Sequence, residues 1–278
     1  MPTFSQNLLA VFHRLLGSAK SIGEAKAGEW KTTGPDEAEY PLVTAGDIAH
    51  VAEKVNYGEF KEGRWSLATY KEMYPGRIGR AIVPRTLVVH TTDMRPGSFA
   101  ALVRNWTIQL GRGNGAHFLI GRTPAEGVIQ FAPIHRNANH AGGNNPGSIG
   151  GLHPNTCSVG VEVDNGGRLV LKGGKWTHPD TGYVYDTKDV FVEKANRAWE
   201  KKTWYQQEML WKLWVALRPT LRAWPAGTVV QPNGPYLANG VSTFAKAASP
   251  SLIGHVTLNP VNKTDPGFQL MEEINSWS

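Results

Sequence analysis

Short blocks of hydrophobic residues, separated by polar turns, run along the chain from about residue 81 and predict alternating strands and helices. The block PRTLVVH, residues 84–90, is rich in β-branched residues and is typical of a buried strand. Three further blocks, AHFLIGR, GVIQFAP and SVGVEVD, are divided by Gly, Pro and Asn turns and fit strands of one mixed sheet. A last block, SLIGH, predicts a short strand that ends at His255.

Apolar residues at helical spacing predict two helices between these strands. The first begins near Ser98, a suitable cap, in SFAALVRNWTIQL. The second is TWYQQEMLWKLWVALRPTL, in which Thr203 and Gln206 form a capping box. Its apolar stripe comprises Leu210, Leu213 or Trp214, Leu217 and Leu221. This order of elements predicts an α/β or α+β fold, a central mixed β-sheet flanked by helices.

The first 80 residues follow a different pattern and predict an N-terminal extension. Residues 8–16 have the apolar spacing of an amphipathic helix, and residues 44–55 are compatible with a second short helix. A polar connector punctuated by Gly and Pro lies between them. We therefore divide the chain into an extension, 1–80, of unknown role and a main domain, 81–278. Within that domain, 222–250 is predicted to be a long irregular loop.

Charge and composition narrow the possible partners. The formal net charge is +6 and the sequence pI is about 9.4, which favours acidic partners. The basic residues are scattered and lack an aromatic-basic motif, so we expect no nucleic-acid partner. A single cysteine, Cys157, excludes an internal disulfide. No apolar run is long enough to span a bilayer, and the N-terminus lacks the pattern of a signal peptide.

Two histidines and an aspartate suggest a metal site. His90 and His255 each follow an apolar run, at positions where strand ends open into a crevice. Asp265 comes ten residues after His255, beyond a turn at Asn259-Pro260. Two imidazoles and one carboxylate suffice for catalytic zinc, with a fourth position left for water. Each residue alone is more often structural, and the distance from His90 to His255 is too long to form a motif.

Two further residues have the chemistry of catalytic helpers. Glu162 lies within the alternating run SVGVEVD, on the face opposite Val161 and Val163. A carboxylate there is costly unless it is paired or catalytic, and the alternative is an edge strand with Glu162 in solvent. Lys263 could stabilise an oxyanion, although a solvated surface lysine is the commoner role.

Several motifs together resemble the zinc-dependent N-acetylmuramoyl-L-alanine amidases of the type-2 amidase and peptidoglycan-recognition-protein family. LVVHTT resembles the family's first ligand segment, and AHFLIGRTPAEGVIQFAP its central hairpin. NANHAGG is similar to its Ala-Trp-His-Ala-Gly motif, with Asn139 in place of tryptophan. NTCSVGVEVDNGG and GHVTLNPVNKTDPG resemble its glutamate strand and its Gly-His … Lys-Thr-Asp-Pro-Gly ending. The similarity covers about residues 84–268 and is closest to anhydro-muropeptide amidases and phage amidase endolysins.

The resemblance implies a ligand set and a reaction. His90, His255 and Asp265 would bind Zn²⁺, and Glu162 and Lys263 would be the catalytic helpers. His140, Asn139 and His117 are expected to contact substrate. The implied reaction is hydrolysis of the amide between N-acetylmuramic acid and the L-alanine of the stem peptide.

Two other functions stay open for this ligand set: a non-catalytic peptidoglycan-binding protein and a zinc peptidase acting within the stem peptide. The expected partner is peptidoglycan or a muropeptide, and the protein is expected to be a monomer. We expect synthesis in the cytoplasm and action on the cell wall or on cytoplasmic muropeptides. A phage endolysin, a recycling enzyme and an antimicrobial effector would share these motifs.

Overall fold

The computed structural model describes residues 39–41, 64–66, 81–99, 101–103, 115–124, 126–132, 134–142, 146–194, 197–235 and 246–277. The helices expected within residues 1–21 and 44–55 lie outside the described residues. The first helix of the main domain is described only at residues 99 and 101–103, where the Leu102 N–H donates to the Ser98 carbonyl at 2.9 Å, as expected at a helix start.

Thirteen strands and three α-helices are described over their full length, besides the partly described helix at residues 99–103. The strands are β1 (Glu39–Pro41), β2 (Arg64–Ser66), β3 (Thr86–Thr91), β4 (Phe118–Ile120), β5 (Val128–Gln130), β6 (Ser148–Ile149), β7 (Ser158–Val163), β8 (Arg168–Lys172), β9 (Lys175–Thr177), β10 (Val190–Lys194), β11 (Arg197–Glu200), β12 (Val230–Gln231) and β13 (Leu252–Gly254). The helices are α1 (Trp204–Leu217), α2 (His255–Leu258) and α3 (Phe268–Ser276).

The main sheet is mixed, as the sequence predicts. Its strand order is β13-β3-β7-β4-β5, with the first four strands parallel and β5 antiparallel to β4. β3 and β7 are buried on both faces of the sheet along nearly their whole length, which explains their nearly continuous apolar sequences. The carboxyl ends of β13, β3 and β7 meet at one edge of the sheet, where ligand sites of such sheets usually lie.

Alternation along β3 and β7 divides the sheet into two faces. Leu87, Val89, Val159 and Val161 point to one face and form the main core with apolar residues of α1 and α3. Val88 points to the other face, into a smaller cluster that contains Ile149, Cys157, Ile253 and Leu258. His90 and Glu162 have the same parity as Val88, so the second face also carries the polar side chains.

Helix α1 forms as expected at its start and ends earlier than expected. Thr203 Oγ1 accepts from the Gln206 N–H, and Gln206 Oε1 accepts from the Thr203 N–H, which completes the capping box. Leu210, Leu213, Trp214 and Leu217 are buried in the main core. The α-helix ends at Leu217 and a 3₁₀ turn that contains Pro219 follows, so Leu221 packs against the core from outside the helix.

Two of the larger elements have no counterpart in the sequence predictions. The first is a four-stranded antiparallel sheet of order β10-β11-β8-β9, built on a small cluster of Leu169, Tyr185, Val190 and Ala198. The second is helix α3, which packs on the main core. Residues 222–235 and 246–250 are largely irregular, as expected, with β12 paired to β6. Among the described residues, no helix combines the length and apolar character needed to cross a bilayer.

Candidate active site

His90 lies near the carboxyl end of β3, beside the central strand of the sheet. Its Cα pairs in register with that of Glu162 on β7, so both side chains leave the same face of the sheet. β7 is hydrogen-bonded to β3 on one side and to β4 on the other. The alternative of an edge strand with Glu162 in solvent is therefore wrong.

A turn near the C-terminus brings His255 and Asp265 to the same end of the sheet. His255 is the first residue of α2, directly after β13, whereas a strand ending at His255 was expected. The Lys263 N–H donates to the Asn259 carbonyl at 2.9 Å and forms the turn back. The Val256 N–H then donates to the Asp265 carbonyl at 2.8 Å. This bond holds the Asp265 segment beside the His255 ring.

One side-chain atom from each of His90, His255 and Asp265 lies close to the other two at this end of the sheet. His90 Nδ1 lies 3.0 Å from His255 Nδ1 and 3.4 Å from Asp265 Oδ2. His255 Nδ1 lies 3.1 Å from the same carboxylate oxygen. All three residues are buried, with 2%, 4% and 7% of their surface exposed. The structure therefore brings together the three residues that were expected to bind metal.

The electrostatics of this cluster suit a site for a cation. Burial, followed by the adjacent His255 ring, lowers the pKa of His90 to about 4, so the ring is neutral near pH 7. Burial alone raises the pKa of Asp265, but the His255 and His90 rings hold it well below its ordinary value. Neutral imidazoles and an ionised carboxylate are the forms in which these groups bind metal.

The spacing of the three atoms fits a zinc ion. Zinc takes imidazole nitrogens and carboxylate oxygens at about 2.0–2.2 Å in tetrahedral geometry, which places two ligand atoms about 3.3 Å apart. The observed separations of 3.0, 3.1 and 3.4 Å are close to that value. A buried carboxylate is costly without a compensating charge. The donor set is therefore compatible with a three-ligand zinc site.

Glu162 and Lys263 are positioned differently around this cluster. Glu162 is half-buried, and its Oε2 is buried with no hydrogen-bond partner among the described residues. Burial, and then the Asp265 carboxylate, raises the pKa of Glu162 well above its usual value. Lys263 is exposed, but its charge is close enough to oppose that rise in Glu162. A carboxyl group of this kind is suited to proton transfer.

The three residues expected to contact substrate occupy different environments. Asn139 is exposed, whereas His140 is only 9% exposed. His117 is completely buried; its Nδ1 accepts from the Gly160 N–H at 3.0 Å and its Nε2 donates to the Arg136 carbonyl at 2.8 Å. With both nitrogens bonded to backbone groups, the His117 ring offers no free polar atom to a substrate.

Ser158 and Asn155 support His140 and were not singled out from the sequence. Ser158 Oγ lies 3.1 Å from His140 Nε2. Asn155 Oδ1 accepts from the Ala141 N–H at 2.9 Å, and its Nδ2 donates to the Gly142 carbonyl at 3.0 Å. The signal that could have found them is their place in the NTCS segment, just before the glutamate strand.

Comparison with protein families gives a match over most of the chain. The family model described as N-acetylmuramoyl-L-alanine amidase matches residues 80–268. A comparison with curated proteins finds no match.

Solved structures that match part of the chain were also found. One is the N-acetylmuramyl-L-alanine amidase AmiD from E. coli, in complex with the substrate anhydro-N-acetylmuramic acid-L-Ala-D-gamma-Glu-L-Lys. Its sequence is 17% identical, the match covers 70% of this chain and 58% of that chain, and the TM-score is 0.42. A second is AmpDH3 from Pseudomonas aeruginosa, at 18% identity, 70% and 61% coverage and a TM-score of 0.38. A third is AmpD, at 19% identity, 72% and 97% coverage and a TM-score of 0.36. The chain thus spans about three fifths of the first two structures.

Proposed function

Since this chain belongs to the N-acetylmuramoyl-L-alanine amidase family, we propose that it hydrolyses the amide bond between N-acetylmuramic acid and the L-alanine of the peptidoglycan stem peptide. The proposed cofactor is Zn²⁺, with His90, His255 and Asp265 as its ligands. The observation that carries the proposal is the convergence of His90 Nδ1, His255 Nδ1 and Asp265 Oδ2 within 3.4 Å of one another, beside the Glu162 strand.

Zinc, when bound by three protein ligands, supplies a water of lowered pKa and polarises a carbonyl oxygen. We assign Glu162 the role of general base and then general acid. Its carboxylate accepts a proton from the attacking water and returns that proton to the departing L-alanine nitrogen. Burial, and then the Asp265 carboxylate, raises the pKa of Glu162, and a carboxyl group with a raised pKa holds a proton more readily than an ordinary carboxylate, which supports this role.

Lys263 is assigned the stabilisation of the oxyanion that develops as water attacks the carbonyl. The residue is exposed, and its charge acts on both His90 and Glu162. A cation placed before the reaction at the position where negative charge develops lowers the barrier without rearrangement. The net positive charge of the chain also suits a substrate that carries free carboxylates.

A first experiment tests the reaction against its two alternatives. The purified protein is analysed for metal, and its digests of intact sacculi and of soluble anhydro-muropeptides are analysed by mass spectrometry. About one zinc per chain, together with products that carry free muramic lactyl groups, supports the amidase. Cleavage only between amino acids of the stem would identify a zinc peptidase. Binding to sacculi without metal or products would identify a recognition protein.

The same digests address where the enzyme acts. Activity on sacculi would support action on the cell wall, and activity limited to soluble muropeptides would support a role in the cytoplasm. We propose peptidoglycan or a muropeptide as the only partner required, with the protein acting as a monomer.

A further inference from the structure

A chain of buried hydrogen bonds runs from His90 away from the proposed metal. His90 Nε2 lies 2.9 Å from His140 Nδ1, and His140 Nε2 lies 3.1 Å from Ser158 Oγ. Ser158 Oγ donates in turn to the Pro154 carbonyl at 2.6 Å. Ser158 is completely buried, and His90 and His140 are 2% and 9% exposed. Water therefore has little access to these bonds.

The Pro154 carbonyl, at the end of this series of hydrogen bonds, determines which atom donates in each of them. A carbonyl oxygen only accepts, so the Ser158 hydroxyl donates its hydrogen to the Pro154 carbonyl. The Ser158 oxygen can then only accept a hydrogen bond from His140. The donor to Ser158 is then His140 Nε2–H. A neutral imidazole has one N–H, so His140 Nδ1 is an acceptor. The remaining partner, His90 Nε2, must therefore carry the hydrogen.

This direction leaves the lone pair of His90 on Nδ1, the atom that faces His255 and Asp265. We propose that His140, anchored by Ser158, is a positioning residue that holds His90 in the tautomer whose Nδ1 can bind the metal. The proposal rests on the proposed zinc site. It adds His140 as a residue that acts on the metal only through the ligand His90. A hydrogen-bonded outer partner orients a ligand ring and strengthens it as a donor.

The surrounding backbone is shaped for the His140 ring. A Cβ atom at Gly160 would lie 2.4 Å from His140 Cγ and 2.7 Å from its Nδ1, so only glycine admits the ring at this distance from β7. The loop that carries His140 is clamped by the two Asn155 bonds to Ala141 and Gly142. These contacts join the NANHAGG and NTCSVG segments, which lie in different parts of the sequence.

Substrate contact is the alternative role for His140, and the geometry disfavours it. Both ring nitrogens are engaged, one by His90 and the other by Ser158. A substrate could bond to His140 only by displacing one of these partners. The neighbouring Asn139 is exposed and stays a candidate for that contact.

The experiment measures the zinc dissociation constant by competition with a chelator, for the full chain and four variants. In His140→Leu the acceptor is lost, and we expect zinc affinity to fall by about 10- to 100-fold. His140→Asn places an amide oxygen near the position of Nδ1 and should recover most of that affinity. Ser158→Ala removes the anchor alone and should give a smaller loss. His178→Leu is the matched control, because it removes a buried histidine ring whose nitrogens bond only to backbone groups of Asp93, Asp180 and Thr181; its zinc affinity should be unchanged.

A second readout uses ¹⁵N–¹H NMR of the imidazoles in the zinc-loaded wild-type protein. We expect His90 to be protonated at Nε2. Zinc affinity of folded His140→Leu within twofold of wild type, or a His90 protonated at Nδ1, overturns the proposal. If His140→Leu does not fold, the tautomer of wild-type His90 and the Ser158→Ala affinity decide the matter. A wild-type protein that binds no zinc would reject the proposed function itself, an outcome distinct from failure of the His140 support alone.

Discussion

His90 and Glu162 are register partners on adjacent parallel strands, and their side chains leave the sheet on the same face. The strands that carry them are hydrogen-bonded along their whole length in the middle of the sheet. A proposed metal ligand and a proposed proton carrier are therefore held by rigid backbone rather than by loops. Exchanging either side chain should change the chemistry of the site and leave the sheet intact.

Removal of one proposed ligand should abolish metal binding. Asp265→Ala leaves two imidazoles, and we expect zinc content to fall from about one ion per chain to near zero. Because metal binding couples to folding, this variant should also melt at a lower temperature than the zinc-loaded wild type. Metal analysis and thermal unfolding measure both effects. Asp189→Ala, at an exposed position, is the control; full zinc content in Asp265→Ala would contradict the assignment.

Glu162→Gln should separate chemistry from metal binding. The amide has the same shape but cannot accept the proton of water, so turnover should fall on the order of 10²–10⁴-fold. Zinc content should stay at the wild-type value, and the unfolding transition should not move to lower temperature, because the neutral amide removes a carboxylate whose ionised form is disfavoured by burial. Steady-state hydrolysis of a muropeptide measures the loss, with the exposed Glu272→Gln as the matched control. Near-normal turnover would remove Glu162 from the mechanism.

Lys263→Met should lower turnover by about 10²-fold, because it removes the charge proposed to meet the oxyanion. The methionine keeps the apolar length of the side chain, and zinc affinity should change little. Separate measurement of kcat and KM shows whether the loss falls on the chemical step. Lys188→Met, at an exposed lysine, controls for loss of surface charge. Equal kinetics in the two variants would argue that Lys263 is only a surface residue.

Buried His117 should make the protein sensitive to acid. Burial lowers its pKa to about 4, against about 6.5 in an unfolded chain, so the unfolded state binds more protons between these values. Its contribution to stability is complete above about pH 6.5 and is lost as the pH falls towards 4.

This contribution can be isolated with His117→Asn, which does not titrate in that range. Between about pH 7 and pH 5 the wild type should lose about 2 kcal/mol more of its free energy of unfolding than the variant. Urea unfolding of chelator-treated protein measures this difference without the metal. Parallel pH profiles for the two proteins would show that His117 is not the cause.

Gly160→Ala should disturb the proposed zinc site indirectly, through the His140 ring that packs on Gly160. The added methyl group would lie 2.4 Å from the ring, so either His140 moves away from His90 or the strand shifts. We expect a loss of about 1–3 kcal/mol in stability and weaker zinc binding. Gly174→Ala changes a turn glycine with open space around it and should leave zinc affinity unaltered. Wild-type zinc affinity in Gly160→Ala would contradict this account.

Much of the fold follows from local patterns in the sequence. Alternation and β-branched residues predicted β3 and β7, and the Thr203–Gln206 pair marked the start of α1, because each of these signals lies within a few residues. The chemistry of their side chains and a family resemblance predicted His90, His255 and Asp265 as ligands, although neither gives the distances between them.

Other elements were not predicted, because the interactions that stabilise them lie between residues distant in the sequence. The four strands from Arg168 to Glu200 bury only a small cluster, so their sequence is largely polar and lacks a strong period. Pro219 ended α1 earlier than its apolar stripe suggested. The Asn259 N–H donates to the His255 carbonyl at 3.0 Å and closes α2, so His255 lies on a helix rather than at a strand end.

The sequence by itself determined which chemical groups are available and which segments become strands or helices, since side-chain type and periodicity are properties of neighbouring residues. Tertiary structure alone decided that His90 and His255, 165 residues apart, bring their Nδ1 atoms to 3.0 Å. Tertiary structure also decided that His140 lies within hydrogen-bond distance of His90, and Ser158 within hydrogen-bond distance of His140. The order of strands in a sheet depends on long-range hydrogen bonds, and no local period encodes that order.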